Sequence, residues 1–264
     1  MLTTQYKDGS PNWVDLGAPD IEGAAAFYAG LFGWHYQPGG EEVGRYGMFR
    51  LDGKTVAGGM TVTPDQGPAA WTVYFQSSDA DATAAAVTKA GGAVVFEPMD
   101  VMDFGRMAIF NDPAGVTFAT WQPRGNTGLD VVTEVNTLCW TELYTGDVAA
   151  AADFYRSVFG WEISETSFEG GTYTMVKPAG TTDDEAFGGL VPIAADPVED
   201  ADQPYWAPYF EVADCDLTAA KAEQSGGKVR LTPVFMEGVG RFAKLADPFG
   251  ARFSVIASAP AAGA

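Results

Sequence analysis

The sequence predicts an α+β fold made of four β-α-β-β-β modules in two tandem repeats. Three observations carry that prediction. The string AFYAGLFGWHY at 26–36 returns as DFYRSVFGWEI at 153–163. An offset of 135 residues then holds from Trp71 and Trp206 through Phe118 and Phe253, about fifty positions without a slip. Within each repeat a strand pattern followed by a helix pattern occurs twice.

The elements follow in order. WVDLGAPDIEGAAAFYAGLFG reads as a strand and then a helix, with Asp20 as N-cap and Gly33 as the C-terminal glycine. Between them Ile21, Ala24, Phe27, Tyr28, Leu31 and Phe32 keep helical spacing. Short strands are expected at 34–37, 46–51 and 55–62. WTVYFQSSDADATAAAVTKAGG repeats the order, with Asp79 as cap, an Ala-rich helix and a Gly-Gly stop. Strands at 93–96, 106–110 and 116–121 complete the first repeat. DPAG and DPFG sit in the last hairpin of each repeat and match type I turn preferences. Sliding by 127 residues aligns Trp13 with Trp140. Gly58-Gly59 aligns with Gly188-Gly189 at an offset of 130, as a site of close approach in a strand. The repeats are expected at 1–124 and 137–264, joined by a polar linker at 125–136.

Fifteen basic residues stand against 35 acidic ones, a net charge of -20. Such a surface argues against nucleic-acid and anionic-membrane partners. Neither cysteine, Cys139 or Cys215, has a CxxC neighbour, so no disulfide framework is expected and both read as small buried residues. No basic, apolar leader pattern opens the chain, and no stretch reaches the ~20 apolar residues of a membrane span. The expectation is a cytoplasmic protein.

These strings resemble the vicinal oxygen chelate superfamily, which includes the glyoxalase I, bleomycin-resistance and extradiol-dioxygenase families. PDIEGAAAFYAGLFGW and GDVAAAADFYRSVFGW are similar to its helix-one signature, and NDPAGVTF and ADPFGARF to its closing hairpin. The resemblance covers nearly the whole chain, twice. It implies the glyoxalase/bleomycin-resistance fold, in which the four modules form two cup-shaped β-sheets. It also implies metal-ligand positions, which fall here on Trp13, Thr72 and Ala119, and on Trp140, Ala207 and Ser254. None is a histidine or a carboxylate. With His35 as the sole histidine, a two-His, one-carboxylate iron site cannot be assembled. No metal and no other cofactor is therefore expected.

Strand alternation then assigns the cups. The expected ligand-binding residues are Trp13, Tyr74, Gln76, Trp121, Trp140, Tyr144, Tyr209 and Arg252. Asp15, Glu142 and Glu211 are the candidate catalytic bases. A set of indoles and phenols with a few polar groups suits a flat, small aromatic ligand. Trp13 and Trp140 are read equally well as plugs, and Trp34 and Trp161 as core. His35 reads as a solvated strand-end residue, because its counterpart is Glu162. The first functional reading is a metal-independent binding protein for an aromatic, antibiotic-like or natural-product-like molecule. The alternative is a cofactor-independent isomerase, lyase or hydroxylase-type enzyme that uses a cup carboxylate as general base; whether the chain is an enzyme stays open. Four modules in one chain allow a monomer or a homodimer.

Overall fold

The computed structural model describes residues 1–168, 171–196, 198–199 and 203–259. The first module holds β1 (Pro11–Ala18), α1 (Ile21–Phe32), β2 (His35–Gln37), β3 (Gly47–Leu51) and β4 (Lys54–Thr61). The second holds β5 (Ala70–Gln76), α2 (Ala80–Lys89), β6 (Ala93–Val101), β7 (Gly105–Asn111) and β8 (Thr117–Pro123). The third holds β9 (Leu138–Thr145), α3 (Val148–Phe159), β10 (Glu162–Phe168), β11 (Gly171–Lys177) and β12 (Gly188–Pro192). The fourth holds β13 (Tyr205–Glu211), α4 (Cys215–Gln224), β14 (Lys228–Met236), β15 (Gly240–Ala246) and β16 (Arg252–Ser258). The strands make two mixed, cup-like sheets, ordered β2-β3-β4-β1-β5-β8-β7-β6 and β10-β11-β12-β9-β13-β16-β15-β14. In every module the first and last strands pair in parallel, and the helix supplies the crossover.

The helices begin and end where their side chains dictate. Asp20, Asp79, Asp147 and Asp214 each accept a backbone N–H three residues on. Gly33 and Gly160 close α1 and α3 with φ of 74° and 71°, a left-handed cap that glycine adopts without penalty. The buried face of α1 consists of the six residues that the spacing singles out. β6 runs past the predicted 93–96 to Val101. Its ladder skips between Phe96 and Met99, which lets Pro98 sit in a strand without owing a ladder hydrogen bond.

The chain divides into two compact units. Unit 1 comprises Met1–Trp13, Thr72–Gly128 and Trp140–Ala207; unit 2 comprises Val14–Trp71, Leu129–Cys139 and Pro208–Ala264. Each draws modules from both repeats, and each is built on the duplicated string. In unit 1 Tyr155 of α3 stacks on Trp161 at 4.8 Å and 14°. Its hydroxyl accepts from Trp206 Nε1 at 2.9 Å and donates to Asp112 Oδ2 at 3.3 Å. Asp112 also takes the N–H groups of Ala114 and Val116, both at 2.9 Å, which closes the DPAG turn. Unit 2 repeats this relay: Trp71 donates to Tyr28 at 3.0 Å, and Tyr28 to Asp247 at 3.3 Å. Asp247 holds the N–H groups of Phe249 and Ala251 in the DPFG turn. The Phe-Tyr and Phe-Gly-Trp strings recur because each supplies one aromatic core and one buried phenol to it.

Trp34 and Trp161 are core residues, both 1% exposed. Trp34 Nε1 donates to the carbonyl of Asn136, and Trp161 Nε1 to that of Gly9, each at 2.8 Å. Asn136 and Gly9 both have positive φ, 66° and 80°. The stretch at 129–139 is therefore not a polar tether. Leu129, Val131 and Val132 are buried, and Thr55 donates its N–H to Asp130 Oδ2 at 2.7 Å. Polar composition hid this, because the buried Leu129, Val131 and Val132 are interspersed with the exposed Asp130, Glu134 and Val135.

The alignment of the glycine pairs also needs correction. β4 sets Gly58 opposite Asp15, whereas β12 sets Gly189 opposite Glu142. The equivalence is Gly58 with Gly189, an offset of 131 rather than 130. At these two positions a phenol approaches, whereas at Gly188 it is backbone, the Thr141 carbonyl oxygen lying 2.6 Å from where a Cβ would sit. A Cβ on Gly58 would lie 1.9 Å from Tyr46 Oη, and one on Gly189 2.0 Å from Tyr173 Oη.

Candidate functional site

Two ion pairs fix which face of each sheet is free of helix. Arg106 on β7 donates to Asp81 on α2 at 3.2 Å. Arg106, Ala108 and Phe110 therefore face the helix, and Met107 and Ile109 face away. The β7–β8 ladder places Met107 opposite Trp121 and Ile109 opposite Ala119. On β5, Gln76 lies opposite Trp121 and Tyr74 opposite Ala119. β6 adds Phe96 opposite Ile109 and Met99 opposite Met107. This face of unit 1 is apolar and aromatic, and Phe96 and Met99 remain 48% and 42% exposed on it. Its polar groups serve the scaffold. Trp121 Nε1 donates to Asn126 O at 2.8 Å, and Gln76 Nε2 to Tyr6 O at 2.9 Å.

Unit 1 also holds a knot around Glu142, which is 9% exposed. Tyr173 donates to Glu142 Oε1 at 2.6 Å, and Tyr144 to Oε2 at 2.5 Å. Trp140 Nε1 donates to Tyr173 Oη at 2.9 Å. Tyr144 stacks on Tyr205 at 5.2 Å and 22°. The structure thus brings Trp140, Glu142 and Tyr144 together and adds Tyr173, which the sequence reading missed. Charge-assisted phenol bonds of this length are the strong kind. They engage both carboxylate oxygens and fix the orientation of the Glu142 carboxylate.

Unit 2 carries the counterpart, where Tyr46 donates to Asp15 Oδ2 at 3.0 Å. Trp13, the remaining predicted residue of unit 1, is buried at 6% exposure. On β15 of unit 2, Arg241 grips Asp216 of α4 with bonds of 2.5 and 2.7 Å. Arg241 and Ala243 therefore face the helix, and Phe242 and Lys244 face away. Lys244 lies opposite Ser254, and Arg252 opposite Ala246. Tyr209 lies opposite Ser254 on the other side. Tyr209, Ser254, Arg252 and Lys244 thus share the helix-free face, and Lys244 is 3% exposed on it. Alternation along β15 would have found this lysine.

Glu211 is set apart at the end of β13. Its two oxygens accept from Ser258 N at 2.9 Å and Ser258 Oγ at 2.6 Å. The cysteines are unreactive in this setting. Burial pushes the Cys139 thiol well up, with the Glu211 charge adding to it, and burial pushes Cys215 up to about 11. His35 is exposed at the first position of β2.

The residues do not fit the metal that the fold family often holds. Among the described residues no group of three or more His, Cys, Asp or Glu side chains is placed to bind an ion. Ala119 and Ser254, at two of the implied ligand positions, pair with Tyr74 and Tyr209, and none of these offers an imidazole or carboxylate.

The sequence matches the Glyoxalase/Bleomycin resistance protein/Dioxygenase superfamily over residues 10–120 and again over 137–255. The chain belongs to this superfamily. Among its relatives, the anthracycline biosynthesis protein DnrV of Streptomyces peucetius is 40% identical, covering 96% of this chain and 94% of its own. The putative glyoxylase CFP32 of Mycobacterium tuberculosis is 38% identical, covering 97% and 98%. Two solved superfamily structures share the fold at low identity. The Mn(II)-bound glyoxalase of Novosphingobium aromaticivorans has a TM-score of 0.65 at 18% identity, covering 95% of this chain and 82% of its own. The 2,3-dioxygenase LapB of Pseudomonas sp. KL28 has a TM-score of 0.63 at 13% identity, covering 96% and 94%. Among the described residues no helix is long and apolar enough to cross a membrane.

Proposed function

We propose that this superfamily member binds a small aromatic molecule of natural-product type without a metal. The observation that carries the reading is the helix-free face of unit 1. Phe96 and Met99 stay exposed there beside Tyr74, Met107 and Trp121, on a fold whose other large apolar groups are mostly buried. Exposed apolar groups gathered on one face mark a binding surface. Metal independence rests on the donor chemistry at the implied ligand positions. The 40% identity to an anthracycline biosynthesis protein supports an aromatic polyketide-like ligand. Two free, buried thiols are consistent with a cytoplasmic setting.

The test is a titration of tryptophan fluorescence with 2-methoxy-1,4-naphthoquinone, a neutral planar probe. Saturable quenching, unchanged by EDTA, is expected. Met99→Ser with Phe96→Ser should weaken it on the order of tenfold, about 1.4 kcal/mol. Absence of quenching across planar aromatic probes, or its loss with EDTA, overturns the reading.

The Glu142 knot favours a second reading, a cofactor-independent isomerase, lyase or hydroxylase-type enzyme. A buried carboxylate between two phenols could take a proton once a ligand hydroxyl replaces one of them. The relative described as a putative glyoxylase is consistent with turnover. Glu142→Gln would then abolish turnover while leaving probe affinity intact.

A further inference from the structure

We infer that two methionines of the β6–β7 hairpin, Met99 and Met102, are a peroxide-modification site that loosens ligand binding on the helix-free face of unit 1; this rests on the aromatic-ligand reading above and names the regulation of that face. Three of the chain's eight methionines, Met99, Met102 and Met107, fall within nine residues of this hairpin. Met99 lies opposite Met107, and Met107 opposite Trp121. The second repeat builds the same hairpin without them. There Val234 pairs with Phe242, and Met236 with Gly240. The turn bond from Val239 N–H to the Met236 carbonyl matches that from Phe104 to Val101. Val234, Glu237 and Phe242 thus stand where the first repeat has its three methionines. The hairpin folds without those sulfurs.

Exposure and backbone conformation set two of the three apart. Met99 is 42% exposed and Met102 55%. Met102 has a φ of 50°, in the left-handed region that bulky side chains seldom enter, whereas the positive φ of the second turn falls on Gly238. A long apolar side chain held there at conformational cost points to a use for it. The thiols do not compete for an oxidant, because burial keeps both protonated. The exposed thioethers are therefore the reactive sulfur. The oxidant is a neutral hydroperoxide, hydrogen peroxide in the simplest case. The thioether sulfur attacks one peroxide oxygen; the S–O bond forms as the O–O bond breaks, and the other oxygen leaves as water with both peroxide protons. Sulfur loses two electrons and the peroxide gains them. The product sulfoxide is polar and hydrated, so a planar ring can cover it only by stripping that water. A flexible apolar surface suited to a flat ligand becomes a polar one.

The experiment treats the full chain with dilute hydrogen peroxide and removes the peroxide by gel filtration. Peptide mass spectrometry then scores each methionine, and tryptophan fluorescence is titrated with 2-methoxy-1,4-naphthoquinone. In the wild type Met99 and Met102 should each gain one oxygen, and affinity should fall on the order of tenfold. Met99→Leu with Met102→Leu should lose less than about twofold on the same treatment, measured against its own untreated affinity. Met236→Leu, which removes an exposed methionine of unit 2, should lose as much as the wild type. Three results overturn the inference while leaving aromatic binding intact: oxidation that reaches Met236 but spares Met99 and Met102, wild-type affinity unchanged with both sulfurs oxidised, or an equal loss in the double leucine variant. Failure of the untreated wild type to bind the probe overturns the aromatic-ligand reading and this inference with it.

Discussion

Tyr173 reaches Glu142 because residue 189 has no side chain. Its phenol crosses β12 at the one position where a Cβ would fall 2.0 Å from its oxygen. The same holds for Tyr46 over Gly58, beside Asp15. Gly189→Ala does not strain the backbone, since φ there is not positive, so the phenol itself must swing away. That releases the bonds to Glu142 and Trp140. Gly189→Ala should cost about 1–2 kcal/mol in denaturant unfolding, the scale of a buried hydrogen bond left unmade. Unchanged stability, with the Tyr173–Glu142 contact retained in a crystal structure, would show that the glycine is not what admits the phenol. Neither tyrosine was legible in the sequence. Tyr46 and Tyr173 keep the 127-residue offset of Trp13 and Trp140, but they lie on other segments, beyond the reach of alternation within β1 and β9. Glu142 and Asp15 were legible, because alternation from Trp140 and Trp13 reaches them within one strand.

At the scale of elements, the DPxG turns do more than reverse the chain. Asp112 ties its own turn to Tyr155 of α3, and Asp247 ties its turn to Tyr28 of α1. Turn chemistry predicted the aspartates but not the phenols, which come from more than forty positions away in one case and over two hundred in the other. Tyr155→Phe should destabilise by about 1–3 kcal/mol, because Trp206 Nε1 then lacks its buried acceptor. A smaller loss in thermal or chemical unfolding would mean that water replaces the hydroxyl. Burial raises both carboxyls above the ordinary value of 3.8, against the lowering by their backbone donors. The sign follows from linkage. A carboxyl whose folded-state value is raised contributes stability below the unfolded value and loses it as pH climbs through the folded one. The stability of wild type minus that of Asp112→Asn should therefore fall as pH rises from about 3 to about 7. A difference that is flat, or that rises with pH, contradicts the burial.

At the scale of the whole molecule, the duplication was plain in the sequence, as were the helices and their caps. How the modules pair was not, since periodicity within a repeat is silent on which partner covers its apolar face. The structure answers for each unit separately. In unit 1 Phe75 and Phe118 of the first repeat pack against Tyr155, Phe159 and Trp161 of the second. In unit 2 Phe32 and Trp34 of the first repeat meet Phe210 and Phe253 of the second. A repeat expressed alone would leave both sets of rings without their partners. Each Phe, Tyr or Trp so exposed forfeits about 1.5–3 kcal/mol of burial, which a marginally stable protein cannot absorb several times over. Residues 1–128 and 129–259 produced separately should therefore lack cooperative unfolding and near-ultraviolet circular dichroism as monomers. The break at 128 keeps Asn136, the acceptor of Trp34, on the second fragment, so mixing restores that bond as well. Mixed at equal concentration, the fragments should regain both signals and elute as a one-to-one complex. A first fragment that unfolds cooperatively as a monomer would show that its own two modules suffice to cover those rings.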